Sequence, residues 1–137
     1  MSARSFLDTN ILVYTDDHEA PAKQASALGL FEQLRTTRNG VLSTQVLQEY
    51  FVAATKKLSV DPAIARRKVE LFARLDLVRI DIDTIVSAID LTRLHAVSFW
   101  DALIIRAALS SGCKVLFSEN MQSGRRIDGL QILNPFA

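Results

Sequence analysis

The sequence contains one cysteine and two histidines, and this shortage excludes several kinds of chemistry. Cys113 cannot form a disulfide within the chain, and no cysteine and histidine cluster has the spacing of a zinc site. Gly112 and the apolar residues 115–117 flank Cys113, so we expect a buried structural thiol. A catalytic thiol would need a nearby histidine, and His18 and His95 both lie far from Cys113 in the sequence.

The chain also lacks a long apolar run and a strong net charge. No stretch approaches the roughly 18 apolar residues of a membrane span, and the N-terminal sequence reaches Asp8 too soon for the core of a signal peptide. We therefore expect a cytoplasmic protein with no membrane partner. The formal net charge of +1 gives no overall basic field for nucleic acid. Local pairs such as Lys56-Lys57 and Arg125-Arg126 are most simply interpreted as solvated surface.

The composition and length indicate one domain over residues 1–137, because 49% of the residues are hydrophobic and 137 residues are enough to bury a core. Short apolar segments alternate with longer segments of helical periodicity. This alternation predicts a three-layer α/β/α fold with a mainly parallel central sheet. The predicted strands cover residues 4–7, 41–42, 78–82, 115–117 and 130–133. Five helices are predicted. The first covers residues 21–37, and the other four begin at Ser43 or Thr44, at Asp61-Pro62, at Asp83 or Thr84, and at Ser98.

Acidic residues occur at the ends and edges of these elements, inside apolar sequence. Asp8 follows the first strand and Glu119 follows a late one. Asp101 begins an apolar helix that we expect to be buried, and Glu49 lies at the edge of an apolar helical stripe. Carboxylates rarely occur among apolar residues unless they are paired or bind a metal. Because the carboxyl ends of parallel strands meet at one edge of the sheet, we expect these acids to converge there.

Each acid also has an ordinary structural interpretation. Asp8 could cap the next helix, with Thr9 and Asn10 completing a turn. Asp101 lies in a first helical turn, where a carboxylate suits the helix dipole. Taken together, however, converging acids would repel one another and require a cation. Oxygen ligands indicate Mg²⁺, with Mn²⁺ as a possible substitute, rather than zinc.

Four sequence blocks resemble the PIN-domain family of Mg²⁺-dependent ribonucleases, and within it the VapC toxins of bacterial toxin–antitoxin pairs. The blocks are FLDTNILVY, LSTQVLQEY, SFWDALII, and LFSENMQSG followed by ILNPF. They occur in the family's order over essentially the whole chain, and this makes the resemblance specific although any one block would be weak.

The resemblance implies a PIN-like fold and places the family's first three acids at Asp8, Glu49 and Asp101. The fourth family acid falls on Asn120, and the adjacent Glu119 could take its role instead. The family positions that support the site by hydrogen bonds correspond here to Thr9, Asn10 and Ser118.

The expected chemistry is metal-assisted hydrolysis of RNA phosphodiester bonds. Asp8 and Asp101 are the expected metal ligands, while Glu49 and Glu119 would hold metal-bound water or a second ion. The number of ions stays open. Arg125 and Arg126 are the residues that we expect to contact RNA phosphates.

The resemblance further implies partners. These are a cognate antitoxin that blocks the acidic site, a structured RNA such as tRNA or ribosomal RNA, and a second copy of the chain in a homodimer. Two alternatives stay open. A catalytically inactive PIN-like module would bind RNA or protein without cleaving, and a phosphoacceptor receiver domain would share the sheet but should carry paired acids directly after the first strand.

Overall fold

The computed structural model describes residues 3–137, and this range contains six short strands and six helices. In chain order they are β1 Ser5–Leu7, α1 Thr9–Tyr14, α2 Pro21–Thr37, β2 Gly40–Ser43, α3 Thr44–Lys57, α4 Pro62–Phe72, β3 Asp76–Val78, α5 Ile82–Leu94, α6 Phe99–Ser110, β4 Val115–Phe117, β5 Arg126–Ile127 and β6 Leu130–Leu133. No helix within this range combines the length and the apolar character that crossing a bilayer requires.

The strands pair in the order β3-β2-β1-β4-β6-β5, and only β5 runs antiparallel to its neighbour. Phe6 in β1 lies opposite Val41 in β2 and opposite Leu116 in β4. The chain builds outward from β1 in both directions, so β1 and β4 form a topological switch point, where ligands of α/β sheets bind. The predicted α/β architecture, a mainly parallel sheet flanked by helices, is confirmed.

The central strands are buried, as parallel strands covered by helices must be. Phe6 and Leu7 of β1 and Val41 and Leu42 of β2 are fully inaccessible to solvent. Cys113 is buried as expected, and burial raises the pKa of its thiol. The core therefore fixes the strands whose carboxyl ends carry the acids.

Two elements in the first two thirds of the chain differ from prediction. The structure has a helix over Thr9–Tyr14, which is too short to show helical periodicity. The third strand is Asp76–Val78 rather than 78–82. The following helix consequently begins earlier than predicted, and its cap is Asp81, which accepts a hydrogen bond from the Thr84 backbone N–H at 2.9 Å.

β5 is a further strand that was not predicted. This two-residue strand pairs with β6 through a tight turn at Asp128 and Gly129, whose φ angles are 50° and 88°. Asp-Gly is a favoured pair for a two-residue hairpin because both positions need positive φ. The signal was therefore present between Ile127 and Leu130.

Candidate active site

Asp8 lies at the switch point between β1 and β4 and is only 5% exposed. Its Oδ1 accepts a hydrogen bond from the Thr9 backbone N–H at 2.7 Å and so caps α1. Its Oδ2 accepts hydrogen bonds from Ser118 Oγ at 2.7 Å and from Asn10 Nδ2 at 3.2 Å. The capping interpretation is correct for one oxygen. The other oxygen is held by Asn10 and Ser118, which lie in the segments that follow the two switch-point strands.

The Asp8 carboxyl is electrostatically disfavoured in its charged form. Burial raises its pKa from the ordinary 3.8 to about 6. Hydrogen bonds from Ser118 and Thr9 act to lower this pKa, whereas the charges of Asp101 and Glu49 raise it. None of the ion pairs within residues 3–137 includes Asp8, Glu49 or Asp101. These three acids therefore repel one another without a basic side chain to offset them.

Glu49 reaches the same place from α3, where two hydrogen bonds orient its carboxylate. Thr9 Oγ1 donates to Glu49 Oε1 at 2.6 Å, so Thr9 contacts Asp8 through its backbone and Glu49 through its side chain. Gln45 Nε2 donates to Glu49 Oε2 at 3.3 Å and to the Trp100 carbonyl at 3.2 Å. Gln45, which sequence reasoning missed, thereby links α3 to the first turn of α6.

Asp101 approaches from that first turn of α6. Ser98 caps the helix as predicted, because its Oγ accepts a hydrogen bond from the Asp101 backbone N–H at 3.1 Å. Burial raises the pKa of Asp101, a hydrogen bond with Ser98 lowers it, and the charge of Glu49 raises it further. The structure thus brings three of the predicted acids together at one edge of the sheet.

These acids line an open cleft of about 800 Å³, which we name the acidic cleft. Its lining also includes Thr9, Asn10, Tyr14, Gln48, Val52, Lys56, Lys57, Trp100, Ile104, Glu119 and Asn120. The cleft therefore combines a negatively charged part, an apolar wall and two lysines.

Glu119 lines the acidic cleft, but its carboxylate has partners of its own. Its Oε1 accepts a hydrogen bond from the Tyr14 hydroxyl at 2.6 Å, and its Oε2 accepts one from Lys23 Nζ at 2.5 Å. Burial acts to raise the pKa of Glu119, but these hydrogen bonds and the Lys23 charge together lower it. The neighbouring Asn120 is exposed and donates its backbone N–H to Ser118 Oγ at 3.2 Å. Glu119 thus differs from the other three acids in having a basic partner.

Asn10 and Ser118 connect the segment after β1 to the segment after β4. Asn10 Nδ2 donates to Asp8, while its Oδ1 accepts a hydrogen bond from the Glu119 backbone N–H at 3.1 Å. Ser118 is fully buried, and its Oγ also accepts from the Met121 backbone N–H at 3.3 Å. Contacts of this kind are what the family resemblance implies for the supporting positions.

Arg125 and Arg126, predicted to contact RNA, do not line the acidic cleft. Arg125 Nη1 donates to the Ala96 carbonyl at 3.4 Å, and Arg126 is exposed in the edge strand β5. Lys56 and Lys57, in the last turn of α3, line the cleft instead. They follow Glu49 by seven and eight residues, a spacing of about two helical turns that returns to the same helix face.

The donor set of the acidic cleft fits a hard divalent cation. Asp8, Glu49 and Asp101 offer only oxygen, and a cation would stabilise the charged carboxylates against the burial and the mutual repulsion that together raise the pKa values of Asp8 and Asp101. Among the described side chains, no three of the acidic, histidine or cysteine type form a ready-made ligand cage. Mg²⁺ suits such a site because it keeps several waters and uses only one or two carboxylates.

The fold and the site define an α/β domain with three converging carboxylates at the carboxyl edge of its sheet. A family model for the PIN domain matches residues 5–127. The chain belongs to the PIN domain family, and the resemblance inferred from the four sequence blocks is confirmed. A comparison with curated protein sequences gives no match.

Solved structures of toxins share this fold. VapC20 of Mycobacterium tuberculosis, a sarcin–ricin-loop-cleaving toxin, is 18% identical with a TM-score of 0.66, over 85% of this chain and 91% of that one. A toxin–antitoxin complex from Klebsiella pneumoniae matches with 19% identity and a TM-score of 0.70, over 96% and 97% of the chains. DNA-bound VapBC from Salmonella typhimurium matches with 22% identity and a TM-score of 0.66, over 96% and 97%. At these identities the likeness establishes a shared fold.

Proposed function

We propose that this chain is a Mg²⁺-dependent endoribonuclease of the VapC type, the toxin of a toxin–antitoxin pair, acting on tRNA or ribosomal RNA in the cytoplasm. The observation that carries the proposal is the convergence of Asp8, Glu49 and Asp101 on one cleft without a basic partner among residues 3–137. Membership of the PIN family and the fold shared with VapC20 support the same activity.

In this mechanism Asp8 and Asp101 would hold the cation through their carboxylate oxygens. Bound Mg²⁺ would supply charge neutralisation at the phosphate and increase the acidity of a water. Thr9 and Gln45 hold the Glu49 carboxylate by hydrogen bonds, and Glu49 would orient the attacking water. Ser118, Asn10 and the Thr9 N–H fix Asp8 in one orientation before substrate arrives, and this preorganisation reduces the cost of reaching the transition state.

RNA cleavage in Mg²⁺ and in EDTA tests the proposal with the wild type, Asp8→Asn and Asp101→Asn. Only the wild type in Mg²⁺ should cleave at full rate, and each variant should lose about 100-fold or more, as when one charge-stabilising group of an active site is removed. Asp128→Asn, the same acid-to-amide change in the exposed β5–β6 turn, is the matched control and should cleave normally. Cleavage that persists in EDTA and in both active-site variants would contradict the mechanism.

A second candidate function is a PIN-like module that binds RNA or protein without cleaving. The neutral Asn120 at the family's fourth acidic position and the pairing of Glu119 with Lys23 favour it. A wild type that binds RNA tightly but cleaves none in Mg²⁺ or Mn²⁺ would support this function and exclude the nuclease.

The proposed antitoxin site is an apolar groove of about 730 Å³ between α3 and α4. The groove is lined by Leu47, Gln48, Phe51, Val52, Pro62, Ala63, Arg66 and Val69. Gln48 and Val52 also line the acidic cleft, so the two depressions adjoin each other along α3. An apolar antitoxin segment in the groove could extend a lysine or arginine to the carboxylates. Similar solved structures are toxin–antitoxin complexes, which supports such a partner.

Ala63→Glu tests the groove. Ala63 is exposed in the first turn of α4, where a carboxylate suits the helix dipole, so the variant should fold. The test is co-expression with the cognate antitoxin. The wild type should co-purify with the antitoxin and Ala63→Glu should not, while the Ala63→Glu variant should still cleave RNA. Ala22→Glu is the matched control, because Ala22 also follows a proline in an exposed first turn, that of α2. Equal capture by Ala63→Glu would exclude the groove.

The proposed homodimer interface is an exposed apolar stripe on α5. Ile82, Val86 and Ile89 are 69%, 50% and 47% exposed. Their spacing places them on one face of the helix. In a two-fold symmetric dimer this apolar face would pack against the same face of a second chain.

A further inference from the structure

Trp100 is the only tryptophan of the chain, and it lies at the acidic cleft next to Asp101. Its surface is 62% exposed, so the expectation of a helix buried all round is correct for residues 102–105 and wrong at this position. A large aromatic side chain left in solvent at the edge of a polar cleft forgoes considerable burial energy. Tryptophan is enriched at binding interfaces, and the position of Trp100 at the acidic cleft makes its exposed ring available to a ligand.

The surroundings of Trp100 fix the position of the indole relative to the acids. The Phe99 ring packs against it edge to face, with centroids 5.2 Å apart and planes at 71°. The Trp100 carbonyl accepts the hydrogen bond from Gln45 Nε2, which also donates to Glu49. The Phe99 ring thus braces the indole on one side, and Gln45 ties the Trp100 backbone to a carboxylate of the site, while most of the residue's surface stays open to solvent.

Lys56 and Lys57 give the same cleft a positive end. Both are exposed, and neither is in an ion pair within the part of the chain that the structure describes. With a rise of 1.5 Å per residue they lie about 10–12 Å beyond Glu49 along the α3 axis. This places two cations where the backbone of a polynucleotide would continue from a phosphate held at the carboxylates.

We propose that Trp100 stacks on an unpaired RNA base beside the cleaved bond and that Lys56 and Lys57 contact the neighbouring phosphates of the same strand. The proposal rests on the proposed nuclease function and names the residues that position the substrate in its site. Inside a duplex both faces of each base are covered by neighbouring pairs, so an aromatic platform can engage only an unstacked base there. The apolar wall of Val52 and Ile104 gives such a base a dry surface to lie against.

Intrinsic fluorescence tests the stacking directly, because Trp100 is the sole indole. The probes are oligouridylate and oligoadenylate of about ten nucleotides, within the range of single-strand site sizes, and a blunt RNA duplex of the same length. Titrations use the wild type in EDTA and Asp8→Asn in Mg²⁺, so that no probe is cleaved. We expect saturable quenching by the single strands, protection of the indole from acrylamide, and neither effect with the duplex. Unchanged emission with every RNA, in both samples, would overturn the proposal.

Substitutions separate stacking from charge. Trp100→Ala should raise KM for an unstructured RNA by about tenfold, the lower part of the range measured for base–aromatic stacking, and Trp100→Phe should restore most of the loss. Leu94→Ala is the control, because Leu94 is an exposed apolar residue on α5 outside the cleft. Lys56→Gln/Lys57→Gln should reduce the slope of log affinity against log salt by about 1.4, the value for two phosphate contacts on a single strand. Lys114→Gln, an exposed lysine at the amino end of β4, should leave the slope unchanged.

The outcomes distinguish this proposal from the nuclease function. Metal-dependent cleavage by a Trp100→Ala variant with an unchanged KM would overturn the stacking role and leave the function standing, assigning Trp100 to a protein interface instead. Quenching by single strands without any cleavage by the wild type would support the binding site and exclude only the nuclease. A salt slope that falls with Arg125→Gln/Arg126→Gln but not with the lysine pair would move the phosphate contacts to β5.

Discussion

Asp8 combines burial, negative charge and the lack of a basic partner within residues 3–137. Because its folded pKa of about 6 exceeds the ordinary 3.8, the native state binds the proton more tightly than the unfolded state does. The contribution of Asp8 to stability is therefore fully present below about pH 4 and is lost as the pH rises through about 6. Above that range the charged form costs roughly 3 kcal/mol, the equivalent of this rise in pKa.

Asp8→Asn should consequently stabilise the metal-free protein at about pH 7.5 by roughly 1–3 kcal/mol while abolishing cleavage. The amide can still accept from the Thr9 N–H and can donate to Ser118 Oγ, although it loses the hydrogen bond that Asn10 Nδ2 donates to Asp8. The measurement is chemical denaturation of both proteins in EDTA between about pH 4 and 8, with the difference between the curves isolating Asp8 from other acids such as Asp101. The gain should vanish near pH 4. A variant less stable than the wild type at neutral pH would show that the carboxylate is not a strained group.

Glu119 and Asn120 present a second question at the residue scale, namely which of them contributes to the cation site. Asn120 lines the cleft and is exposed, whereas Glu119 is neutralised by Lys23. Asn120→Asp should therefore increase Mg²⁺ affinity several-fold, because it adds a carboxylate where charge is already unbalanced. Glu119→Gln should change Mg²⁺ affinity much less.

Isothermal titration with Mg²⁺ and Mn²⁺ measures both variants. If Glu119→Gln lost binding to the extent that Asp101→Asn does, Glu119 would be the fourth acid and its pairing with Lys23 would have to open on metal uptake.

At the scale of elements, the sequence correctly predicted those helix caps, helix starts and strands that depend on a few adjacent residues. The Ser98 cap, the Asp61-Pro62 helix start and the strand over residues 115–117 each depend on a few adjacent residues, and the structure has all three. The third strand was placed too late because the alternation over 78–82 resembles a strand, while pairing with β2 selects residues 76–78. Register of this kind depends on a partner strand that the local pattern does not contain.

The α6 cap connects element stability to the site. Ser98→Ala should cost about 1 kcal/mol, the usual value for a lost N-cap, and should also lower cleavage, because the capped N–H belongs to Asp101. Ser98→Thr should retain both properties. Asp81→Ala, which removes the cap of α5 away from the cleft, should destabilise the fold without lowering the rate at saturating substrate. Thermal denaturation measures the stability of the three variants, and cleavage assays measure their activity. Equal activity of Ser98→Ala and wild type would show that the cap does not position Asp101.

At the scale of the whole molecule, the sequence predicted which acids meet but not their separate environments. Asp8 and Asp101 were found because strand ends and helix starts converge in a parallel sheet, whereas Glu49, within α3, was found at the edge of an apolar stripe and through the family resemblance. The Lys23–Glu119 pair joins residues 96 apart, and the Gln45–Trp100 contact joins residues 55 apart. Neither has a sequence signature, because each depends on how α2 or α3 packs across the switch point. The lysines of the cleft lay within reach of prediction, since their spacing from Glu49 is helical.

Assembly is the last property at this scale, and the α5 stripe makes it testable. A stable dimer buries about 800 Å² per partner, so a charge in the middle of its interface should be strongly unfavourable. If the proposed homodimer forms through this stripe, the wild type should sediment as a dimer and Ile89→Glu as a monomer in sedimentation velocity. Leu28→Glu on α2 is matched to it, because Leu28 and Ile89 are both 47% exposed, and it should stay dimeric. Since no residue of α5 lines the acidic cleft, monomeric Ile89→Glu should still cleave RNA. Dissociation by Leu28→Glu instead would move the interface to α2, and a monomeric wild type would exclude the homodimer.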